Sequence, residues 1–123
     1  NKNSVIAFLG LSFKPNTDDI RDSSSIKIAN FLSENGYQIH CFDPVAMDNA
    51  KKEFNHFRYF ESAFDACNNT NAIIIGTEWN EFRALNFSEI SKIVKTKKIF
   101  DLRNIYNALE LEKLGFKYYG TGK

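Results

Sequence analysis

The chain has 123 residues, 43% hydrophobic and 25% charged, which suits one folded domain and is too apolar for a disordered chain. Sixteen cations oppose fifteen anions, so there is no net field to draw nucleic acid or an anionic membrane as a partner. No apolar run approaches the roughly 20 residues needed to span a bilayer, and no pattern marks a signal peptide.

The chain opens on Asn1-Lys2-Asn3-Ser4 without an initiator Met, just ahead of a strand, so a fragment of a longer protein is expected. Segment 4–12 is near-continuously apolar, the pattern of a strand covered on both faces. A polar loop follows, in which Pro15 stops any helix and pushes Lys14 toward an extended conformation. Ser23, Ser24 and Ser25 offer N-caps for a helix from Ser24 to Asn35 with Ile28, Phe31 and Leu32 on one face, ending at Gly36. Tyr37–Phe42 alternates as a second strand, closed by Asp43-Pro44. An acidic residue there often binds a ribose, but the first loop has Gly10 and no second glycine, so the GxGxxG fingerprint is absent. Asp43 is therefore read as a turn former.

Residues 45–55 suggest a short helix, Phe57–Phe60 a short strand, and Ser62–Asn68 a helix with Ala63, Phe64 and Cys67 inward. Ala72–Gly76 is the clearest buried strand and leads into a loop, Thr77–Phe82. A helix is expected over 88–95, a strand at Ile99–Asp101, a short helix at Ala108–Leu114 and a last strand at Phe116–Gly120. Strands alternating with helices imply an α/β fold with a mainly parallel sheet and helices on both faces. Cys41 and Cys67 form no CxxC pair and read as buried free thiols, which suits the cytoplasm. His40 and His56 lack partners at metal-ligand spacing, so no metal site is expected.

In such a sheet the strand ends of one sense share one edge. Phe13–Asp22, Gly76–Phe82 and Asp101–Asn104 then bring together Lys14, Arg21, Glu78, Trp79 and Arg103, cations and an aromatic surface suited to a nucleotide diphosphate. Each residue also has a structural reading. Asp18, Asp19 and Asp22 could hold the cations or merely solvate the loop. Trp79 reads more simply as core or interface than as a base platform. Arg103 could pair with Asp101, and Glu78 could brace Arg21 or Arg103. Lys97-Lys98 reads as a solvated turn.

The order of the fourteen residues from Gly10 to Ser23 (Gly-Leu-Ser-Phe-Lys-Pro-Asn-Thr-Asp-Asp-Ile-Arg-Asp-Ser) resembles the signature that opens the C-terminal domain of the nucleotide-sugar dehydrogenases, the UDP-glucose/GDP-mannose dehydrogenase family. Thr77-Glu78-Trp79, Asp101-Leu102-Arg103-Asn104-Ile105-Tyr106 and Leu114–Gly120 resemble its later motifs in the same order. Two mild departures are Leu102, often Gly in that family, and Ser24, often Pro. The resemblance implies a Rossmann-like three-layer sandwich over 1–123 that binds a UDP-sugar. It implies that Phe13 and Lys14 touch the nucleotide sugar, that Arg103 contacts the UDP portion and that Arg21 reaches toward NAD held by an N-terminal domain. The complete enzymes oxidise UDP-glucose to UDP-glucuronate for polysaccharide synthesis, with two hydride transfers to NAD through a cysteine in a central segment. Neither Cys41 nor Cys67 sits in that cysteine's motif, so no catalytic residue is assigned and the chain alone is expected to be inactive. The full-length protein is expected to be a homodimer. The sugar could instead be a UDP-N-acetylhexosamine or GDP-mannose, and a non-catalytic interaction module is the reading from a different class.

Overall fold

The computed structural model describes residues 4–12, 14–21 and 23–121. Its elements, in chain order, are β1 (Val5–Leu9), α1 (Ser24–Glu34), β2 (Gln38–Phe42), α2 (Met47–Glu53), β3 (Arg58–Tyr59), α3 (Ala63–Cys67), β4 (Ala72–Ile75), α4 (Asn80–Arg83), α5 (Phe87–Ile90), β5 (Lys98–Asp101), α6 (Ala108–Lys113) and β6 (Lys117–Gly120). The strands form one sheet in the order β3-β2-β1-β4-β5-β6, and every pairing is parallel. Phe8 pairs with Cys41 on one side and Ile74 on the other, which fixes the register at the sheet centre. The expected Rossmann-like three-layer sandwich is present.

Successive side chains of a strand point to opposite faces, so the apolar runs of β1 and β4 serve two cores at once. Ala7, Leu9, Ile73 and Ile75 face a layer built on Ala66, Phe82, Ile90 and Leu111 of the later helices. Ile6, Phe8 and Ile74 face a second layer built on Leu11, Ile26, Ala29 and Ala50.

Four details depart from the sequence reading. Helix α1 buries Ser25, Ile26 and Ala29, while Ile28 and Phe31 are exposed. The reason is polar: the Ser25 hydroxyl donates to the Gly76 carbonyl across the sheet, and that bond sets the rotation of the helix. Phe64 is likewise exposed, and α3 turns Ala63, Ala66 and Cys67 inward. A short helix, α4, occupies part of the stretch read as a loop, and the helix expected over 88–95 is only the single turn of α5. Beside α1, an apolar groove of about 430 Å³ runs along the β4–β5 half of the sheet, bordered by Ile28, Leu32, Ile74, Phe100 and Leu102.

Candidate functional site

The connections leave β1 toward β2 on one side and β4 toward β5 on the other, so the carboxyl ends of β1 and β4 flank the point where strand order reverses. Ligands of open α/β sheets bind in the crevice at such a point. Here the crevice floor is made of two glycines in close approach. Gly10, at φ +97°, could not carry a Cβ, which would lie 2.6 Å from the Thr77 Cβ. A Cβ on Gly76 would lie 2.5 Å from the Ser25 Oγ and 2.7 Å from the Gly10 carbonyl oxygen.

Above that floor the loops are tied to one another by short side chains. The Thr77 hydroxyl donates to the Ser12 carbonyl at 2.8 Å, and the Ser12 hydroxyl donates to the Lys14 carbonyl at 2.8 Å. The Ser23 hydroxyl donates to the Leu11 carbonyl at 2.7 Å and accepts from the Ile26 amide, which caps α1 as expected. Arg103 Nε donates to the Gly76 carbonyl at 3.0 Å, joining the turn after β5 to the turn after β4. The Lys14 loop and the Arg103 turn are thus both fastened to Gly76-Thr77.

Two fully buried aspartates brace the rim from below. Asp43 Oδ2 accepts from the Leu11 amide at 2.7 Å, the Ser12 amide at 3.3 Å and the Trp79 indole Nε1 at 3.3 Å. Its Oδ1 accepts from the amides of Val45 and Ala46 at 3.0 and 2.9 Å. Asp43 is therefore the turn former expected from Asp43-Pro44, and it also reaches two other loops. Asp101 repeats the device after β5. Its Oδ1 accepts from the Arg103 amide at 3.1 Å, and its Oδ2 accepts from the Ile105 and Tyr106 amides and the Tyr118 hydroxyl. Such a carboxylate is held by several N–H and O–H donors in place of a cation.

The candidate residues fall as follows. Lys14 is exposed at the rim. Phe13 and Asp22 lie outside the described residues. Arg103 is partly buried; its guanidinium sits 3.9 Å from Glu78 Oε1, so Glu78 braces Arg103, while Asp101 is engaged by the Arg103 backbone. Arg21 is exposed and grips the carboxylate of Asp19 with both Nε (3.0 Å) and Nη2 (2.8 Å). Arg21 thereby holds the Asp19 carboxyl down at about 2, against an ordinary 3.8. Trp79 is core, 8% exposed, with its indole N–H spent on Asp43. Burial pushes both thiols up, Cys67 to about 12, so neither is a nucleophile near neutrality. Among the described residues no group of His, Cys, Asp and Glu could hold a metal ion. No helix among them is long and apolar enough to cross a membrane.

The sequence reading missed Ser25, Thr77 and Asp101 as organisers of the rim. The available signal was positional: a small hydroxyl or a carboxylate directly after an apolar strand, where a buried loop needs its backbone groups satisfied. What the rim offers chemically is binding. It presents a cationic lysine and arginine on loops fixed by a hydrogen-bonded base.

Comparison with known proteins accords with that geometry. Residues 7–108 match the profile of the UDP-glucose/GDP-mannose dehydrogenase family, UDP binding domain. The chain is 44% identical to the UDP-glucose 6-dehydrogenase of Rickettsia prowazekii (strain Madrid E), covering 98% of this chain and 28% of that protein. It is 43% identical to the UDP-glucose 6-dehydrogenase of Rhizobium meliloti (strain 1021), over 99% of this chain and again 28% of the relative. Among solved structures, a UDP-glucose dehydrogenase from the hyperthermophilic archaeon Pyrobaculum islandicum superposes with a TM-score of 0.80 at 29% identity, over 97% of this chain and 25% of that one. The chain thus spans little more than a quarter of the length of these UDP-glucose 6-dehydrogenases.

Proposed function

We propose, because the chain belongs to the UDP-glucose/GDP-mannose dehydrogenase family, that residues 1–123 form the UDP-sugar-binding domain of an NAD-dependent dehydrogenase oxidising UDP-glucose to UDP-glucuronate. Lys14 and Arg103 bind the nucleotide, with Phe13 beside the sugar. The observation that carries this reading is the fastening of the Lys14 loop and the Arg103 turn to one dipeptide, Gly76-Thr77. Two cationic side chains from distant parts of the chain then serve one rim, and Arg supplies the planar fork suited to phosphate oxygens.

The β1 loop is poorly suited to hold NAD by itself. It has no second glycine, and its first three amides are already used: Gly10 donates to the Phe42 carbonyl, and Leu11 and Ser12 donate to Asp43. NAD is therefore assigned to the rest of the enzyme, with Arg21 reaching toward it. The complete protein is a homodimer in the cytoplasm, a compartment that suits two free buried thiols. The chain alone supplies no catalytic residue and gives no sustained NADH when mixed with UDP-glucose and NAD.

Titration of the ¹⁵N-labelled chain with UDP, GDP and NAD in parallel tests the assignment. UDP is expected to shift the resonances of Lys14 and Arg103 at the lowest concentration. Equal or stronger response to GDP would move the chain to the guanosine-nucleotide members of the family. No response at either residue to any of the three would refute the site.

A further inference from the structure

The rim's cations stand on loops, and loops hold geometry only through what anchors them. The anchor common to three of these loops is one side chain. Asp43 is fully buried, and no ion pair to it occurs among the described residues. Its two oxygens collect the Leu11 and Ser12 amides of the β1 loop, the Val45 and Ala46 amides of its own turn, and the indole of Trp79 beyond β4. The β1 loop carries Lys14, and the β4 turn carries Glu78, whose carboxylate lies 3.9 Å from Arg103 Nε.

We infer that Asp43 is the positioning residue of the nucleotide site: through Leu11 and Ser12 it sets the Lys14 loop, and through the Trp79 indole it sets the Glu78 turn that supports Arg103. The inference rests on the assignment of the rim to a nucleotide, and it deepens that assignment by naming what holds the two cations in register.

Two features of the geometry favour this over a purely structural role. The Trp79 indole is large and apolar and would be buried without Asp43, yet its only polar atom is aimed at the same oxygen that receives the loop amides. The amides of Leu11 and Ser12 stand where a phosphate-binding turn would present its donors, and Asp43 takes them. The loop is thereby directed inward at its start and leaves Lys14, two residues on, exposed at the rim. A carboxylate at Asp43 does this because both oxygens accept; an amide in its place offers one acceptor and brings two hydrogens against existing donors.

Two variants test the inference in the 123-residue chain. Asp43→Asn opposes N–H against N–H, and Trp79→Phe keeps an aromatic ring in the core while removing the bond to Asp43 together with the second ring of the indole. Trp79 is the only tryptophan, so its indole gives one unambiguous ¹H–¹⁵N cross-peak. The UDP dissociation constant is expected to rise at least tenfold in Asp43→Asn and about threefold in Trp79→Phe, with the indole cross-peak of the wild type shifting on UDP addition. A merely structural Asp43 would lower the melting temperature and leave UDP affinity unchanged in the variant that folds; that result overturns the inference. If Asp43→Asn does not fold, Trp79→Phe decides by the same criterion. Failure of the nucleotide assignment looks different: the wild type itself would then bind no UDP.

Discussion

Gly76→Ala is the sharpest test of how the crevice is built. The new methyl would meet the Ser25 Oγ at 2.5 Å, the Gly10 carbonyl oxygen at 2.7 Å and the Phe8 ring at 2.8 Å. Ser25 could rotate away, but doing so breaks its 2.5 Å bond to the Gly76 carbonyl. Gly10 is backbone, hydrogen-bonded through its amide to Phe42 at 2.8 Å, and Phe8 is fully buried, so neither can yield cheaply. Overpacking of this kind costs about 1–3 kcal/mol. Displacing the Gly76 carbonyl also weakens its bonds from Ser25 and Arg103, at about 1 kcal/mol each. The sum is about 3–5 kcal/mol, a large share of the roughly 5–15 kcal/mol that holds a domain folded. Urea unfolding followed by far-UV circular dichroism should show the midpoint falling by roughly 2 M. Adding Ser25→Ala removes one of the three obstructions and should restore less than half of the loss. A Gly76→Ala midpoint within about 0.3 M of wild type, or full rescue by Ser25→Ala, would show that β1 and β4 do not approach as described.

Three further outcomes follow from the titratable groups. His40 is buried against Phe60 and Ala66, and desolvation, aided by the charge of Arg58, holds its imidazolium below the ordinary 6.5 despite the Ala66 carbonyl, which favours the proton. The unfolded chain therefore takes up a proton that the folded chain refuses, so stability is full above pH 6.5 and falls as pH drops from there through the lower folded value; His40→Gln should flatten that decline in a series of urea midpoints, and an unchanged slope would exclude His40 as its source. Cys67, pushed up to about 12, and Cys41, pushed higher still by burial, should resist iodoacetamide at pH 8 in the folded chain and both react in urea, as read by intact mass; rapid labelling of the native chain would contradict their burial. Asp19 should titrate near 2 by carboxyl NMR and return toward 3.8 in Arg21→Ala; a midpoint that does not move would mean that the Arg21 fork is not formed in solution.

The positions of the strands and their parallel direction were legible because β1 and β4 are nearly pure apolar runs, which burial on both faces of a parallel sheet explains. The helices were less so. The apolar residues Ile28, Phe31 and Leu32 share a face by spacing, yet a polar residue, Ser25, decides which face turns inward, because its hydroxyl has a partner 51 residues away. No local pattern records a partner that distant. The same limit applies at the site. Arg103 and Lys14 could be named as rim residues from where their loops begin, and Trp79 could be weighed as core. What joins them, the Thr77, Ser25 and Asp43 bonds between loops 32 to 65 residues apart, depends on the tertiary fold. α4 was missed because its single turn, Asn80–Arg83, is too short to show a period.

The rim differs from a glycine-rich nucleotide turn in where its donors come from. In the glycine-rich design, backbone amides and a helix N-terminus face the phosphate directly, so the strand must pass into the helix within a few residues. Here fourteen residues separate the end of β1 from the start of α1, the amides of Leu11 and Ser12 are turned onto Asp43, and the helix N-terminus is capped by Ser23. Donors to a ligand must then be side chains, and side chains are precise only if their loops are immobile. That requirement accounts for the buried carboxylate after β2, its counterpart after β5, and the hydroxyls of Ser12, Ser23, Ser25 and Thr77, each donating to a backbone carbonyl of these loops. It also sets an ordering among perturbations. Removing Lys14, exposed at the rim, should weaken ligand binding with little effect on folding, whereas removing an anchor beneath the rim, or Arg103 with its bond to Gly76, should cost both.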